Sequence, residues 1–129
     1  MSKEATSANR KTDVRLLSQS CNVTGRVFVV EILRMHNGCF ASLSEDNAPR
    51  MGGITITVKS ERGGASSSSL IPERKGSLFA SMVGELLAEK LGGIAVVSLY
   101  LREEIDPDIM KTLINEVRKL VDKDLNLAP

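Results

Sequence analysis

The segment Arg26–Met35 constrains the fold more than any other part of the sequence, because it is apolar on both of its sides. It is rich in valine and isoleucine, which favour β-strands. Along an extended strand, alternate side chains point to opposite faces. The two sets are Val27, Val29, Leu33 and Met35 on one face, and Phe28, Val30 and Ile32 on the other. A strand that borders only one core normally alternates apolar with polar residues, so both faces of this strand need cover.

Residues 94–101 form a second strand of the same kind, with apolar side chains on both faces. Two amphipathic helices predicted elsewhere in the chain can cover one face of the sheet, and no remaining segment obviously covers the other. Burial of one valine- or isoleucine-sized side chain lowers the free energy by roughly 1.5–3 kcal/mol. An uncovered apolar face therefore promotes association with another protein. The sheet is therefore expected to fold back into a sandwich, to dock against a partner protein, or to do both.

Turn signals place three more strands. Asn37-Gly38 is a strong two-residue hairpin signal, and it joins the long apolar strand to a returning strand, Cys39–Ser44. Residues 13–18 alternate enough to form an opening strand. Ile54–Val58 alternates isoleucine or valine with threonine, which predicts a half-buried strand.

Two amphipathic helices complete the predicted fold. In the first, Ser77 is expected to cap the start and Gly92 to end the helix. The second is expected to begin with Asp106 as its N-cap and Pro107 in its first turn. The apolar stripe of the first helix is Phe79, Met82, Val83, Leu86, Leu87 and Leu91. The fold class is therefore α+β: a mainly antiparallel β-sheet, in the order β-β-β-β-α-β-α, with two amphipathic helices packed on one face.

Two segments lack a periodic pattern. Residues 1–12 are polar and of mixed charge, and we expect them to be a disordered leader. Residues 59–76 contain a pair of glycines and the run Ser66–Ser69, and we expect a mobile surface loop. Because 129 residues with an apolar fraction of 42% suit one core, residues 13–125 are expected to form a single domain.

The charge balance argues against two classes of partner. Seventeen lysines and arginines face sixteen aspartates and glutamates, a net charge of +1, so no strong field attracts nucleic acid or anionic lipid. The sequence contains no tryptophan, one tyrosine and three phenylalanines, too few for stacking on single-stranded nucleic acid. We find neither a secretory signal nor an apolar run of the roughly 20 residues that span a bilayer. We expect a cytoplasmic location, with the nucleus as a second location.

Residue types with catalytic or metal-binding potential are sparse. The two cysteines, Cys21 and Cys39, do not form a Cys-x-x-Cys pair and are expected to be reduced thiols. The single histidine, His36, lies beside the hairpin turn and is expected to be solvated. The acidic cluster after the last strand is expected to consist of solvated turn and helix-dipole residues. Its members are Glu103, Glu104, Asp106 and Asp108. The sequence therefore predicts no catalytic residues, no metal and no cofactor.

The order of the elements and several local stretches resemble the small proteasome assembly chaperones, the family that contains members 3 and 4. The resemblance covers about residues 13–122. The matching stretches are Asp13-Val14, Val27–Met35, Cys39–Ser44, Gly76–Leu91, Val97-Ser98-Leu99-Tyr100-Leu101 and Asp106–Asp122.

This resemblance implies a non-enzymatic chaperone that forms a heterodimer with a protein similar to proteasome assembly chaperone 3. In that family the pair binds proteasome alpha subunits and helps to build the alpha ring of the core particle. Dimerisation would also supply cover for the second sheet face, although which face lies under the helices stays open at this point. The expected interface residues are Phe28, Val30, Ile32, Phe40 and Tyr100.

Two other functions compete with this interpretation. A dimeric scaffold or trafficking module of the roadblock or profilin kind also combines a central sheet with flanking helices, but no helix is predicted before the first hairpin. An enzyme with a site shared across a dimer would use His36 or the carboxylates at 103–108. Loss of turnover on His36→Ala would identify the enzyme, and a homodimer that ignores proteasome subunits would identify the scaffold.

Overall fold

The computed structural model describes residues 15–46, 48–72 and 75–127, and the predicted leader, residues 1–12, lies outside them. The described residues form six strands and two helices. In chain order these are β1 (Arg15–Val23), β2 (Arg26–Met35), β3 (Gly38–Ser44), β4 (Gly53–Lys59), β5 (Ala65–Ile71), α1 (Ser77–Leu91), β6 (Ile94–Tyr100) and α2 (Pro107–Leu127).

The six strands form one sheet in the order β1-β2-β3-β6-β4-β5. All neighbours are antiparallel except β3 and β6, which are parallel. Helix α1 packs across β6 and β4, and α2 packs against β1, on the same face of the sheet. The predicted α+β class, with a mainly antiparallel sheet and both helices on one face, is therefore confirmed.

The predicted surface loop at 59–76 is wrong in part, because residues 65–71 form the edge strand β5. This strand pairs only with β4, and nearly all of its side chains are exposed. An exposed strand of serines has no apolar alternation, which is the signal that identifies strands in a sequence. The opening strand is also longer than predicted, since β1 continues to Val23 and turns into β2 at Thr24 and Gly25, both with positive φ.

The predicted hairpin between β2 and β3 is present. Met35 pairs with Gly38, so the two turn residues are His36 and Asn37, one position earlier than the sequence signal. Gly38 lies so close to the neighbouring strand that a Cβ atom there would overlap the carbonyl oxygen of Ile94. Glycine at this position therefore allows β3 and β6 to start side by side.

The helix boundaries agree with two of the three predicted capping residues. The carboxylate of Asp106 accepts a hydrogen bond of 2.8 Å from the backbone N–H of Ile109, as an N-cap does. Gly92 ends α1 in the left-handed conformation, with φ of 69°. The prediction for Ser77 is wrong: this serine is the first helical residue, and the left-handed Gly76 before it provides no side-chain cap.

The core lies between the helices and the face of the sheet that they cover. Its sheet side includes Phe28, Val30 and Ile32 of β2, which are 0%, 2% and 0% exposed. Its helix side is formed mainly by Phe79, Val83, Leu87, Leu113, Val117 and Val121. These side chains repeat at three- and four-residue intervals, so each helix presents one apolar stripe to the sheet.

Two buried carboxylates connect loops and helices to this sheet. Asp124 of α2 accepts hydrogen bonds from Arg34 at 2.6 Å and from Arg15 at 3.1 Å. Glu45, directly after β3, accepts two hydrogen bonds from the guanidinium group of Arg26, at 2.8 and 2.6 Å. It also accepts a bond of 3.0 Å from the backbone N–H of Arg102. These contacts fix α2 on β1 and β2, and fix the end of β6 beside the start of β2.

Candidate protein-interaction surface

The sheet face opposite the helices, which we call the open face, carries a broad set of apolar side chains. In the part of the chain that the structure describes, both helices lie on the other side. The strand register places the open-face residues next to one another across the sheet. They are Leu16, Val27, Val29, Leu33, Met35, Phe40, Ile54, Ile56, Val58, Ile94, Val96 and Tyr100.

Several of these side chains, together with Met51, which we include in the open face, surround a shallow depression of about 350 Å³. Leu16 is 66% exposed, Phe40 is 50% exposed, and Met51, from the loop before β4, is 77% exposed. Leu33, Ile54 and Val96 also line the depression. A contiguous apolar patch of this kind is typical of surfaces that bind other proteins.

Strand β4 places its more apolar side on the open face. Its threonine side faces the helices, where Thr55 is 4% and Thr57 is 0% exposed. Its isoleucine and valine side lies on the open face, where Val58 is 47% exposed. An isolated sheet would bury the more apolar side of such a strand. The reversed orientation is what we expect if a partner covers the open face.

Polar residues interrupt the apolar surface. Glu31 lies between Val29 and Leu33 along β2, and its carboxylate is 3.5 Å from the hydroxyl oxygen of Ser18 on β1. Ser42 and Ser98 line the depression together with Glu31. A mixture of apolar and polar groups is typical of interfaces between separately folded proteins.

Tyr100 lies at the rim of the open face. The guanidinium carbon of Arg50 is 5.7 Å from the centroid of its ring, a cation–π contact. The backbone N–H of Arg50 donates a hydrogen bond of 3.0 Å to the hydroxyl of Ser44, which pairs with Tyr100 across β3 and β6. The loop after β3 is therefore held against the tyrosine ring.

The structure separates the five residues predicted to form the interface. Phe40 and Tyr100 lie on the open face, whereas Phe28, Val30 and Ile32 lie under the helices and belong to the chain's own core. The sequence-based choice for β2 therefore needs correction. The reason is physical: α2 docks on the face that carries the larger uninterrupted apolar stretch.

Several open-face residues were not among those expected from the sequence. They are Leu16, Leu33, Met51, Ile54 and Val96. The sequence of β2 did contain one sign that these residues lie on the open face. Glu31 interrupts the apolar series Val27, Val29, Leu33 and Met35 on that face of the strand. A charged residue in the middle of a strand face indicates that this face is not the chain's own core. No comparable signal marks Met51, which lies in a loop.

The two cysteines lie outside the open face. Cys21 and Cys39 are free and buried. Burial raises the pKa of Cys39 to about 11, and burial together with the nearby charge of Glu116 raises the pKa of Cys21, so neither thiol is activated. Among the described residues, no three histidines, cysteines or acidic residues are grouped closely enough to hold a metal ion. His36 is exposed at the β2–β3 turn.

The same part of the chain contains no helix with the length and apolar character that crossing a bilayer requires.

Comparison with known proteins identifies the fold. No protein-family model matches the sequence, and no curated protein matches it. A solved structure does match in three dimensions: a chain in the crystal structure of a novel chaperone complex for yeast 20S proteasome assembly. The match has a TM-score of 0.56 at 11% sequence identity, and it covers 88% of this chain and 94% of the yeast chain. The two proteins therefore share one fold over nearly their whole lengths.

Proposed function

We propose that this chain is a non-enzymatic chaperone for assembly of the alpha ring of the proteasome core particle, and that it acts as a heterodimer with a related small chaperone. Within that family it would correspond to proteasome assembly chaperone 4, with a partner similar to proteasome assembly chaperone 3. One observation supports this most strongly: a broad apolar sheet face is left open on a fold shared with a chain of a yeast proteasome assembly complex.

The energetics of the open face favour a partner. Full burial of a side chain such as Leu16, Phe40 or Met51 contributes roughly 1.5–3 kcal/mol, and half or more of each is exposed. The polar residues on the same face, Glu31 and Ser42, keep the free chain compatible with water. This combination fits a dimer whose subunits fold separately and then associate.

The proposed mechanism is positional. A preformed dimer holds alpha subunits in register and blocks incorrect neighbours, and no covalent step is required. The buried, unactivated thiols Cys21 and Cys39 are consistent with a role of this kind. We propose that the protein works in the cytoplasm and also in the nucleus.

Affinity purification of the tagged full-length chain from native lysate tests the proposal. We expect a second small chaperone and alpha-type proteasome subunits to copurify with it. The double variant Phe40→Ser/Leu33→Ser should reduce recovery of the small chaperone about tenfold or more, because it removes the centre of the apolar depression. The matched control is Leu78→Ser, since Leu78 is 65% exposed but lies on α1, on the helical side.

Two results would contradict the proposal. If the chain forms a homodimer that recovers no proteasome subunit, a dimeric scaffold or trafficking module of the roadblock or profilin kind becomes the better interpretation. If Phe40→Ser/Leu33→Ser and Leu78→Ser recover the small chaperone equally well, the open face does not form the heterodimer.

A further inference from the structure

A second apolar surface lies on the helical side of the molecule, between the N-terminal halves of α1 and α2. It is a groove of about 500 Å³, which we call the helix groove. Leu78 and Met82 of α1 are 65% and 39% exposed along one side of it. Met110, Ile114, Lys111 and Arg118 of α2 line the other side. Its volume is within the range of roughly 300–1,000 Å³ found for ligand pockets in proteins.

The core does not explain the apolar side of this groove. Helix α1 contacts the sheet through Phe79, Val83 and Leu87, which are all buried. Leu78 and Met82 form a separate pair, one helical turn apart, on the flank of the helix. A flank that faces water normally carries polar residues, so this apolar pair indicates a surface that binds something.

An ion pair joins the two helices outside the groove. Toward the C-terminal end of α1, the ammonium group of Lys90 lies 2.8 Å from a carboxylate oxygen of Asp122, and this ion pair bridges the two helices. Leu78 and Met82, near the start of α1, remain exposed beside α2.

The charged side chains that line the groove in the described part of the chain are both positive. Lys111 is exposed and forms no hydrogen bond or ion pair with the residues that the structure describes. Arg118 donates one hydrogen bond of 2.8 Å to the side-chain oxygen of Asn115, which leaves most of its donors available. Among the residues that the structure describes, no carboxylate lines the groove. Lys111 and Arg118 are separated by seven residues, which is roughly 10 Å along a helix.

We propose that the helix groove binds a segment of a proteasome alpha-type subunit that carries apolar side chains flanked by carboxylates about 10 Å apart. This inference rests on the proposed function and extends it, because it assigns a second surface of this chain to the alpha subunit, which we call the client. A second copy of this chain fits less well: a symmetric groove-to-groove contact would bring Lys111 and Arg118 of one copy against the same cations of the other.

The placement of the two surfaces has a consequence for assembly. The open face and the helix groove lie on opposite sides of the molecule, with the sheet between them. The related chaperone and the alpha subunit can therefore bind at the same time. The heterodimer would keep its client surface accessible, as a positional mechanism requires.

The experiment uses the full-length chain, copurified with its small chaperone and titrated with each purified alpha-type subunit by biolayer interferometry. Lys111→Glu/Arg118→Glu should weaken binding of the recognised subunit about tenfold or more. The charge-matched control on the same helix is Lys119→Glu/Lys123→Glu, at two exposed lysines outside the groove, and it should change the Kd by less than about twofold.

A second variant tests the apolar side without a change in charge. Leu78→Ser/Met82→Ser alters two exposed side chains, so the chain should keep its fold and its small chaperone while it loses the alpha subunit. If both groove variants bind the subunit as tightly as the unmodified complex does, the inference is wrong and the proposed function stands. If the unmodified complex binds no alpha subunit, the proposed function itself fails. The inference would also be wrong if the groove variants lost the small chaperone, or if they lost binding to a second copy of this chain. Either result would show that another protein occupies the groove.

Discussion

Gly84 of α1 lies directly on Thr57 of β4: a Cβ atom at position 84 would overlap the hydroxyl oxygen of the threonine and lie 3.1 Å from its Cβ atom. Thr57 is fully buried, and its hydroxyl is 2.8 Å from the hydroxyl of Ser67 on β5. The glycine allows α1 to approach the sheet over a polar side chain that is hydrogen bonded. The same contact keeps the threonine side of β4 inward and the isoleucine side outward.

Gly84→Ala is expected to destabilise the protein by about 1–2 kcal/mol, although alanine is the better helix former by about 1 kcal/mol. Urea denaturation followed by circular dichroism measures this change. Glu85→Ala, at the adjacent exposed position, is the control and should have little effect. If the overlap is the cause, the cost of Gly84→Ala should shrink in a Thr57→Ala background. An equal cost in both backgrounds would contradict this explanation.

Asp124→Asn is expected to destabilise the protein by about 2 kcal/mol, because Arg34 and Arg15 both donate hydrogen bonds to this buried carboxylate. The control is Asp122→Asn, because its ion pair with Lys90 is more exposed, at 41% and 32% of the two side chains, and should contribute about 1 kcal/mol or less. Thermal unfolding of the two variants gives the comparison. Equal melting temperatures would show that Asp124 does not hold α2 on the sheet.

The stability of the protein should fall in acid, in part through Glu45. Hydrogen bonds from the Arg26 guanidinium group lower the pKa of this carboxyl below its usual value. A carboxyl with a lowered pKa in the folded state stabilises the fold above its unfolded pKa of about 4.3, and this contribution disappears as the pH falls through the folded value. The free energy of unfolding should therefore change little between pH 7 and about pH 5 and decrease at lower pH.

Glu45→Gln isolates this contribution. The difference in unfolding free energy between the unmodified chain and Glu45→Gln should be largest near pH 7 and should shrink toward pH 3. A Glu45→Gln difference that is constant across the whole range would contradict the assigned role of the Arg26 contact.

The two faces of the sheet should respond differently to a charge. Ile32→Asp places a carboxylate where the side chain is 0% exposed, and it should unfold the chain. Phe40→Asp alters a side chain that is 50% exposed and should cost about 1 kcal/mol or less. Circular dichroism during thermal unfolding separates the two outcomes. A stable, folded Ile32→Asp protein would contradict the assignment of this face to the core.

Much of the fold could be predicted from local signals. The Asn37-Gly38 turn and the valine-rich strand before it identify the β2–β3 hairpin, and Asp106 with Pro107 marks the start of α2. These features depend on residues that are adjacent in sequence. The sequence of β2 alone also predicts that both faces of the sheet are covered, because this strand is apolar on both sides.

The assignment of the two faces depends on contacts between distant residues, because the sequence signals in β2 and β4 disagree. In β4 the alternation favours burial of the isoleucine side, yet the contact of Gly84 with Thr57 buries the threonine side. In β2 the inward face is set by the docking of α2, through Asp124 and Arg34. Strand β5 carries no apolar pattern because its side chains face water.

The central claim is that a related small chaperone covers the open face. Site-specific photo-crosslinking tests it most directly, with the photoreactive residue p-benzoylphenylalanine in place of Phe40 in the full-length chain, coexpressed with the copurifying chaperone. The control position is Lys119, which is exposed on α2. We predict a crosslink from position 40 to the small chaperone and none from position 119. An intact complex that crosslinks from position 119 and not from position 40 would contradict the claim.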